Sequence, residues 1–161
     1  MSDKYAVVLE PGLVLPERGL MVSQAWGDLP VSYFQDQEVF NDCSFLDLKV
    51  NKWECNSLWG SKQEVEPWVR IEIFRGPALS EYLQNEGSFL FEEFSGGALI
   101  VLELDEDGSE IDEVLLLRLV SVFLGRFKVY KWSESIREIS VDMIASIPAK
   151  YTVRERLFKC V

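Results

Sequence analysis

A long apolar segment beside an acidic turn is the feature that most constrains how this chain can fold. Residues 114–124 read VLLLRLVSVFL and are apolar except for Arg118 and Ser121. A helix that is apolar nearly all round has to be buried on all sides. The segment is also far shorter than the ~20 residues that a helix needs to cross a bilayer. It therefore predicts a buried helix at the centre of a globular domain.

The residues that flank this segment predict where the helix begins and ends. Asp107 and Gly108 form a typical turn pair. Ser109 is a favoured N-cap residue, and Asp112 follows three residues later as in a shortened capping box. Gly125 is a natural helix end. We expect one buried central helix over residues 109–125.

The acidic turn holds seven carboxylates in the eleven residues from Glu103 to Glu113. The helix accounts for three of them, because the helix dipole favours acidic side chains in the first turn by ~0.3–1 kcal/mol each. These three are Glu110, Asp112 and Glu113. Neither the turn nor the cap requires the other four, which are Glu103, Asp105, Glu106 and Asp107. We expect a function for that surplus of negative charge.

Several other segments follow the patterns that strands with one or two buried faces show. We expect strands within residues 45–53, 68–76, 98–104, 126–132 and 137–141, and an extended piece at Phe89 and Phe91. Between Pro77 and Gly87, a short amphipathic segment predicts a helix. The basic segment 150–159 fits a strand or a helix equally well, since periodicity alone does not decide between them.

The first 40 residues are the least regular part of the chain, because proline and glycine interrupt short apolar runs. We expect this part to be rich in loops, with short strands and one helical turn in residues 31–40. No repeat and no linker divides the chain, whose 161 residues have the length of one domain. The fold class predicted for residues 1–161 is therefore a single α+β domain. Its sheet would be mostly antiparallel, with one or two peripheral helices besides the buried one.

The charge is unevenly distributed along the chain, whose net charge is -11. Residues 81–113 carry eleven acidic and no basic side chains, whereas residues 114–161 carry nine basic and four acidic ones. Such an acidic stretch argues against direct binding of nucleic acid and can steer a basic partner. The first residues, MSDKYAVVLEPG, lack the pattern of a secretory signal. We expect a cytoplasmic protein with no membrane association.

The acidic turn resembles part of an EF-hand calcium loop, and the comparison argues against a metal site. Aligning Gly108 with the invariant glycine puts Glu103, Asp105 and Asp107 at ligand positions. Val114 then occupies the position that requires a bidentate glutamate. The loop would lack its main ligand, so we expect no metal ion here.

The sequence also offers no recognisable catalytic set. It contains no histidine, no GxSxG, no phosphate-binding GxxxxGK[ST] and no GxGxxG. The cysteines Cys43, Cys55 and Cys160 are odd in number and form no CxxC pair, which predicts reduced thiols. We therefore expect no catalytic residue, no cofactor and no enzymatic activity.

These observations favour a protein that acts by binding another protein. The leading hypothesis is an antagonist of the kind of a bacterial toxin-immunity protein, which neutralises a basic toxin through an acidic face. The expected contact residues are Glu92, Glu93, Asp105, Glu106 and Asp107, with the aromatic side chains of Trp53 or Trp59 as anchors. Two alternatives stay open: an acidic secretion chaperone for an effector, and a DNA mimic that inhibits a nucleic-acid enzyme. The sequence leaves the oligomeric state open.

Overall fold

The computed structural model describes residues 3–61, 66–86 and 97–161. In this part of the chain seven strands form one antiparallel sheet in the order β2-β3-β4-β5-β1-β6-β7. The strands are β1 (Lys4–Leu9), β2 (Val31–Gln35), β3 (Phe45–Val50), β4 (Val69–Arg75), β5 (Ala98–Leu104), β6 (Lys128–Trp132) and β7 (Ile136–Ile139). The helices are α1 (Arg18–Trp26), α2 (Lys52–Cys55), α3 (Leu58–Ser61), α4 (Gly76–Glu86), α5 (Glu110–Leu124) and α6 (Lys150–Lys159). Within the described residues, short 3₁₀ helices cover Phe40–Asp42 and Val141–Ile144. The predicted α+β class is confirmed.

The two faces of the sheet differ in what covers them. One face, called the core face, carries residues such as Val7, Ile71 and Leu102, which are buried in the main hydrophobic core with side chains of α1, α5 and α6. The opposite face, called the open face, has a smaller apolar cluster where Leu79 of α4 packs on Leu99 and its neighbours. Elsewhere the open face carries charged side chains such as Asp47, Arg70 and Glu103, together with the stacked rings of Phe34 and Phe45. No helix of the described residues is long and apolar enough to cross a membrane.

The central helix α5 confirms the prediction made from its flanking residues. It runs from Glu110 to Leu124, with Ser109 as its N-cap. The main-chain N–H and the hydroxyl of Ser109 both donate to Oδ2 of Asp112, at 2.9 Å each. A Cβ added at Gly108 would lie 2.4 Å from a methyl carbon of Leu104, so a larger residue here would force that buried side chain to move.

A buried ion pair ties the start of α5 to α2. Nζ of Lys52 lies 2.9 Å from Oδ2 of Asp112, and the two side chains are 1% and 4% exposed. A buried ammonium needs a partner of this kind, because removing it from water is costly. The capping carboxylate of α5 therefore also positions the segment that follows β3.

The N-terminal part and the C-terminal segment correct or complete the sequence predictions. Residues 31–35, where a helical turn was expected, form β2 instead, and a 3₁₀ helix follows at Phe40–Asp42. The aromatic residues Tyr33 and Phe34 favour a strand, and pairing with β3 fixes it. Helix α1 was not predicted, although it buries Met21, Ala25 and Trp26. The segment left open between strand and helix is helix α6. The extended piece expected at Phe89 and Phe91 lies outside the described residues.

Two buried acids predict a loss of stability at alkaline pH. Burial, reinforced by the charge of Asp3, raises the pKa of Tyr5 to about 12, above the ordinary value of about 10. Burial likewise raises the pKa of the Cys55 thiol from 9.0 to about 11. The folded state holds these protons more tightly than the unfolded state. Their stabilising contribution is therefore complete below pH ~9 and falls as pH rises through both folded-state pKa values. Urea unfolding at a series of pH values should show this decline.

The Tyr5→Phe variant identifies the contribution of the phenol. We expect a shallower decline of the free energy of unfolding above pH ~10 in this variant, because it has no proton to lose there. Tyr151→Phe is the matched control, since the Tyr151 side chain is 73% exposed. An identical pH dependence in wild type and Tyr5→Phe would contradict the assignment.

Candidate protein-interaction surface

The surplus carboxylates of the acidic turn lie beside a cleft on the open face. Strands β4 and β5 place Arg70 opposite Glu103, with Glu72 two residues further along β4. A cleft of about 300 Å³ is lined by Arg70, Glu72, Glu103, Leu104, Asp105 and Glu106. We call this the acidic cleft. Four of its six lining residues are carboxylates, and two of them, Asp105 and Glu106, were expected contact residues.

The acidic turn is held in place by main-chain bonds that extend the pairing of β4 and β5. Asp105 N–H donates to the carbonyl of Trp68 at 3.1 Å, and Trp68 N–H donates to Oδ2 of Asp105 at 3.0 Å. Gly108 N–H then donates to the carbonyl of Asp105 at 3.2 Å, which closes the turn. Asp105 therefore has a structural role, while the neighbouring carboxylates of Glu106 and Asp107 are exposed.

The cation within the acidic cleft is already engaged. The guanidinium of Arg70 binds both carboxylate oxygens of Asp47, from Nε at 3.0 Å and from Nη2 at 3.1 Å. The hydrogen bonds and charge of Asp47 raise the pKa of Arg70, and the nearby charges of Glu72 and Asp105 act in the same direction. On the neighbouring strand β1, Lys4 pairs with Glu103 of β5. The ammonium of Lys4 lies 5.7 Å from the ring centroid of Trp132. In the described part of the chain, no salt bridge reaches Glu72, Glu103, Asp105, Glu106 or Asp107.

Two arginines of the basic C-terminal helix α6 bind acids that do not line the acidic cleft. Arg156 of α6 binds Glu110, Nη2 to Oε2 at 2.8 Å, and so lowers the pKa of that carboxyl. Arg154 binds Asp28 at 2.8 Å instead. These two arginines thus pair with the first turn of α5 and with Asp28, which follows α1. The negative charge of residues 105–107 stays exposed.

The two tryptophans expected as anchors are placed differently. Trp53 in α2 is 53% exposed, and its main-chain N–H donates to Oε2 of Glu66 at 3.1 Å. Glu66 also binds Lys49, whose ammonium lies 5.2 Å from the ring centroid of Trp68. Trp68 in turn donates its main-chain N–H to Asp105 of the acidic turn. These successive contacts place Trp53 and the acidic turn at the same end of the sheet.

Trp59, in contrast, is a core residue, and the expectation that it anchors a partner is corrected. It is 4% exposed, and its indole N–H donates to the carbonyl of Leu157 at 2.8 Å. Asn56 makes a second bond of this kind, to the carbonyl of Phe158 at 2.8 Å. The segment around α2 and α3 therefore packs against α6, which draws the Trp59 ring inward.

Glu92 and Glu93 lie outside the described residues. Among residues 3–61, 66–86 and 97–161, no group of three or more Asp, Glu or Cys side chains is arranged to hold a metal ion. Sequence reasoning missed Arg70, Glu72 and Asp47, which strand pairing brings beside the acidic turn. Their alternation with apolar residues in β3 and β4 was the available signal.

Comparison with protein-family models, with curated proteins and with solved structures finds no match to this chain.

Proposed function

We propose that this protein is a non-enzymatic antagonist that binds a basic protein partner through the acidic cleft and the adjoining turn. The observation that carries the proposal is the net negative charge of the cleft: four carboxylates line it together with one guanidinium, and Asp47 binds that guanidinium. Carboxylates on a preformed surface accelerate association with a basic protein and contribute specificity. The exposed Trp53 at the same end of the sheet is the aromatic anchor of this surface.

A toxin is the type of partner that fits this acidic surface best. In that case the protein acts as an immunity protein. Toxins that attack nucleic acid need a basic surface to bind phosphates. An acidic protein that covers such a surface excludes the nucleic acid and neutralises the toxin. This assignment is supported by charge complementarity and by the exposure of Glu106 and Asp107.

Reversing the charge of the exposed turn tests the proposal. In Glu106→Lys/Asp107→Lys, we expect capture of the partner from cells that produce this protein to fall at least about tenfold at low salt, since opposite charges across an interface steer association. Captured proteins are identified by mass spectrometry, and the retained amount is measured as salt is raised. The two side chains have no salt bridge among the described residues, so the fold should be unaffected.

The matched control is Glu138→Lys/Asp142→Lys, which changes the net charge equally at exposed positions in and after β7. It should retain the partner as wild type does. Equal loss in both double variants would mean that only net charge matters and would contradict a local site. Undiminished capture by Glu106→Lys/Asp107→Lys would exclude the acidic turn as a contact.

A further inference from the structure

The strand β2 forms an unprotected edge of the sheet. Its sequence, VSYFQ, contains no charged residue and no proline, and the side chains of Tyr33 and Phe34 are 51% and 65% exposed. Among the described residues, β3 is the only partner of its main chain. The opposite edge, β7, carries the exposed charged residues Arg137 and Glu138. Charged residues on an edge strand normally prevent pairing with other chains, so β2 is the edge that remains open to a further strand.

Two clefts adjoin the C-terminal end of this edge. The first, of about 610 Å³, is lined by Arg18, Tyr33, Gln35, Asp36, Gln37 and Glu38. The second, of about 570 Å³, continues from Arg18 and Glu38 and includes the apolar residues Val14, Leu15, Val39 and Phe40. A chain that leaves the edge of β2 would therefore pass a polar cleft and then an apolar one.

The charge of these clefts indicates the chemistry of the occupant. Arg18 stacks on Tyr33, with its guanidinium carbon 3.7 Å from the ring centroid, and donates to Oε1 of Gln35 at 2.7 Å. The carboxylate of Asp36 is fixed by three donors: the main-chain N–H of Ser44 at 2.9 Å, the hydroxyl of Ser44 at 2.5 Å and the main-chain N–H of Phe45 at 3.3 Å. Glu38 is exposed, and among the described residues its carboxylate makes no salt bridge. The polar cleft thus holds two carboxylates and one guanidinium. This net negative charge and the exposed carboxylate of Glu38 favour a basic side chain in the cleft.

We propose that β2 binds an extended segment of a partner protein as an eighth strand of the sheet. The segment has uncharged β-branched or aromatic residues beside β2, a lysine or arginine at Asp36 and Glu38, and an apolar side chain in the cleft of Val14 and Phe40. Main-chain hydrogen bonds supply affinity in such strand addition, and the side-chain clefts supply specificity. A second copy of this chain fits less well, because each copy brings a net charge of -11. The proposal concerns a different surface from the acidic cleft and does not depend on it.

The probe is a displayed library of random dodecapeptides, selected on the immobilised full chain. We expect enriched peptides that combine a basic residue with alternating β-branched or aromatic residues. A synthetic copy of such a peptide should bind the wild-type chain in solution. N-methylation of alternate residues on the side that faces β2 should weaken binding at least about tenfold, since it removes the main-chain donors.

Two protein variants and one exchange measurement locate the bound peptide. Glu38→Lys should weaken binding about fivefold or more by opposing the basic residue, while the control Glu138→Lys on the other edge should leave it unchanged. Hydrogen exchange should slow at residues 31–35 on peptide binding and stay the same at residues 136–139. Glu106→Lys/Asp107→Lys should bind the peptide as wild type does, which separates this site from the acidic cleft.

Three results would overturn the proposal. The first is the absence of any enriched peptide. The second is peptide binding that leaves exchange at residues 31–35 unchanged. The third is a dimer, detected by light scattering, that slows exchange at residues 31–35 without any peptide, because a second copy would then occupy the edge.

Discussion

Replacing Lys52 by methionine is expected to lower the free energy of unfolding by about 3–5 kcal/mol. The substitution keeps the length and apolar stem of the side chain but removes the ammonium that lies 2.9 Å from Asp112. The Asp112 carboxylate would be left buried at the start of α5 without its cation. Urea unfolding followed by tryptophan fluorescence measures the difference.

An exposed ion pair provides the matched control for this prediction. Arg154→Met breaks the pair with Asp28, whose side chains are 44% and 74% exposed, and should cost less than about 1 kcal/mol. If Lys52→Met cost as little as Arg154→Met, the ion pair between α2 and α5 would not contribute to stability as its burial indicates.

Replacing Trp26 by alanine is expected to cost about 3–5 kcal/mol, because it leaves a cavity between α1 and α5. Trp26 is 2% exposed, and its indole N–H donates to the carbonyl of Leu115 at 2.9 Å. Trp26→Phe retains an aromatic ring and loses that hydrogen bond together with part of the packing, so its cost should be smaller, about 1–3 kcal/mol. Denaturant unfolding of both variants gives the two values.

Trp53→Ala is the control variant for Trp26→Ala. It shows how much stability is lost when a tryptophan that is not buried is removed. The Trp53 side chain is 53% exposed, and its loss should cost no more than about 1 kcal/mol. Equal destabilisation by Trp26→Ala and Trp53→Ala would contradict the burial that the structure assigns to these two residues.

The parts of the fold that could be predicted from sequence are those fixed by neighbouring residues. Helix α5 is the clearest case, since its cap, its acidic first turn and its apolar body are all contiguous in the sequence, from Ser109 to Leu124. Strands β3 and β4 were predictable for the same reason, because their alternation is local. Helix α1 lacked such signals: it has no acidic residue in its first turn and no side-chain cap.

The features that sequence reasoning missed depend on residues far apart in the chain. From sequence alone Lys52 is expected on the surface, but the structure pairs it with Asp112, 60 positions away. Trp59 is likewise expected in an exposed loop, but its indole N–H donates to the carbonyl of Leu157, 98 positions away. Local rules cannot supply such partners, because tertiary packing brings them together.

The candidate site likewise combines features that neighbouring residues determine with features that depend on distant residues. The surplus of Asp105, Glu106 and Asp107 over the needs of the helix cap was visible in the sequence, because capping and dipole effects explain only the later acids. The cleft beside them was not visible, since it depends on the register that places Arg70 opposite Glu103. The neutralisation of Arg70 by Asp47 depends in turn on the pairing of β3 with β4.

The most direct test of the central claim is the association rate constant of the purified partner, measured as a function of ionic strength. For the wild-type chain we expect a rate constant that falls steeply as salt screens the charges of the acidic cleft. For Glu106→Lys/Asp107→Lys we expect a lower rate constant at low salt and a weaker dependence on salt. The same rate constant and the same salt dependence in both proteins would contradict binding through this surface.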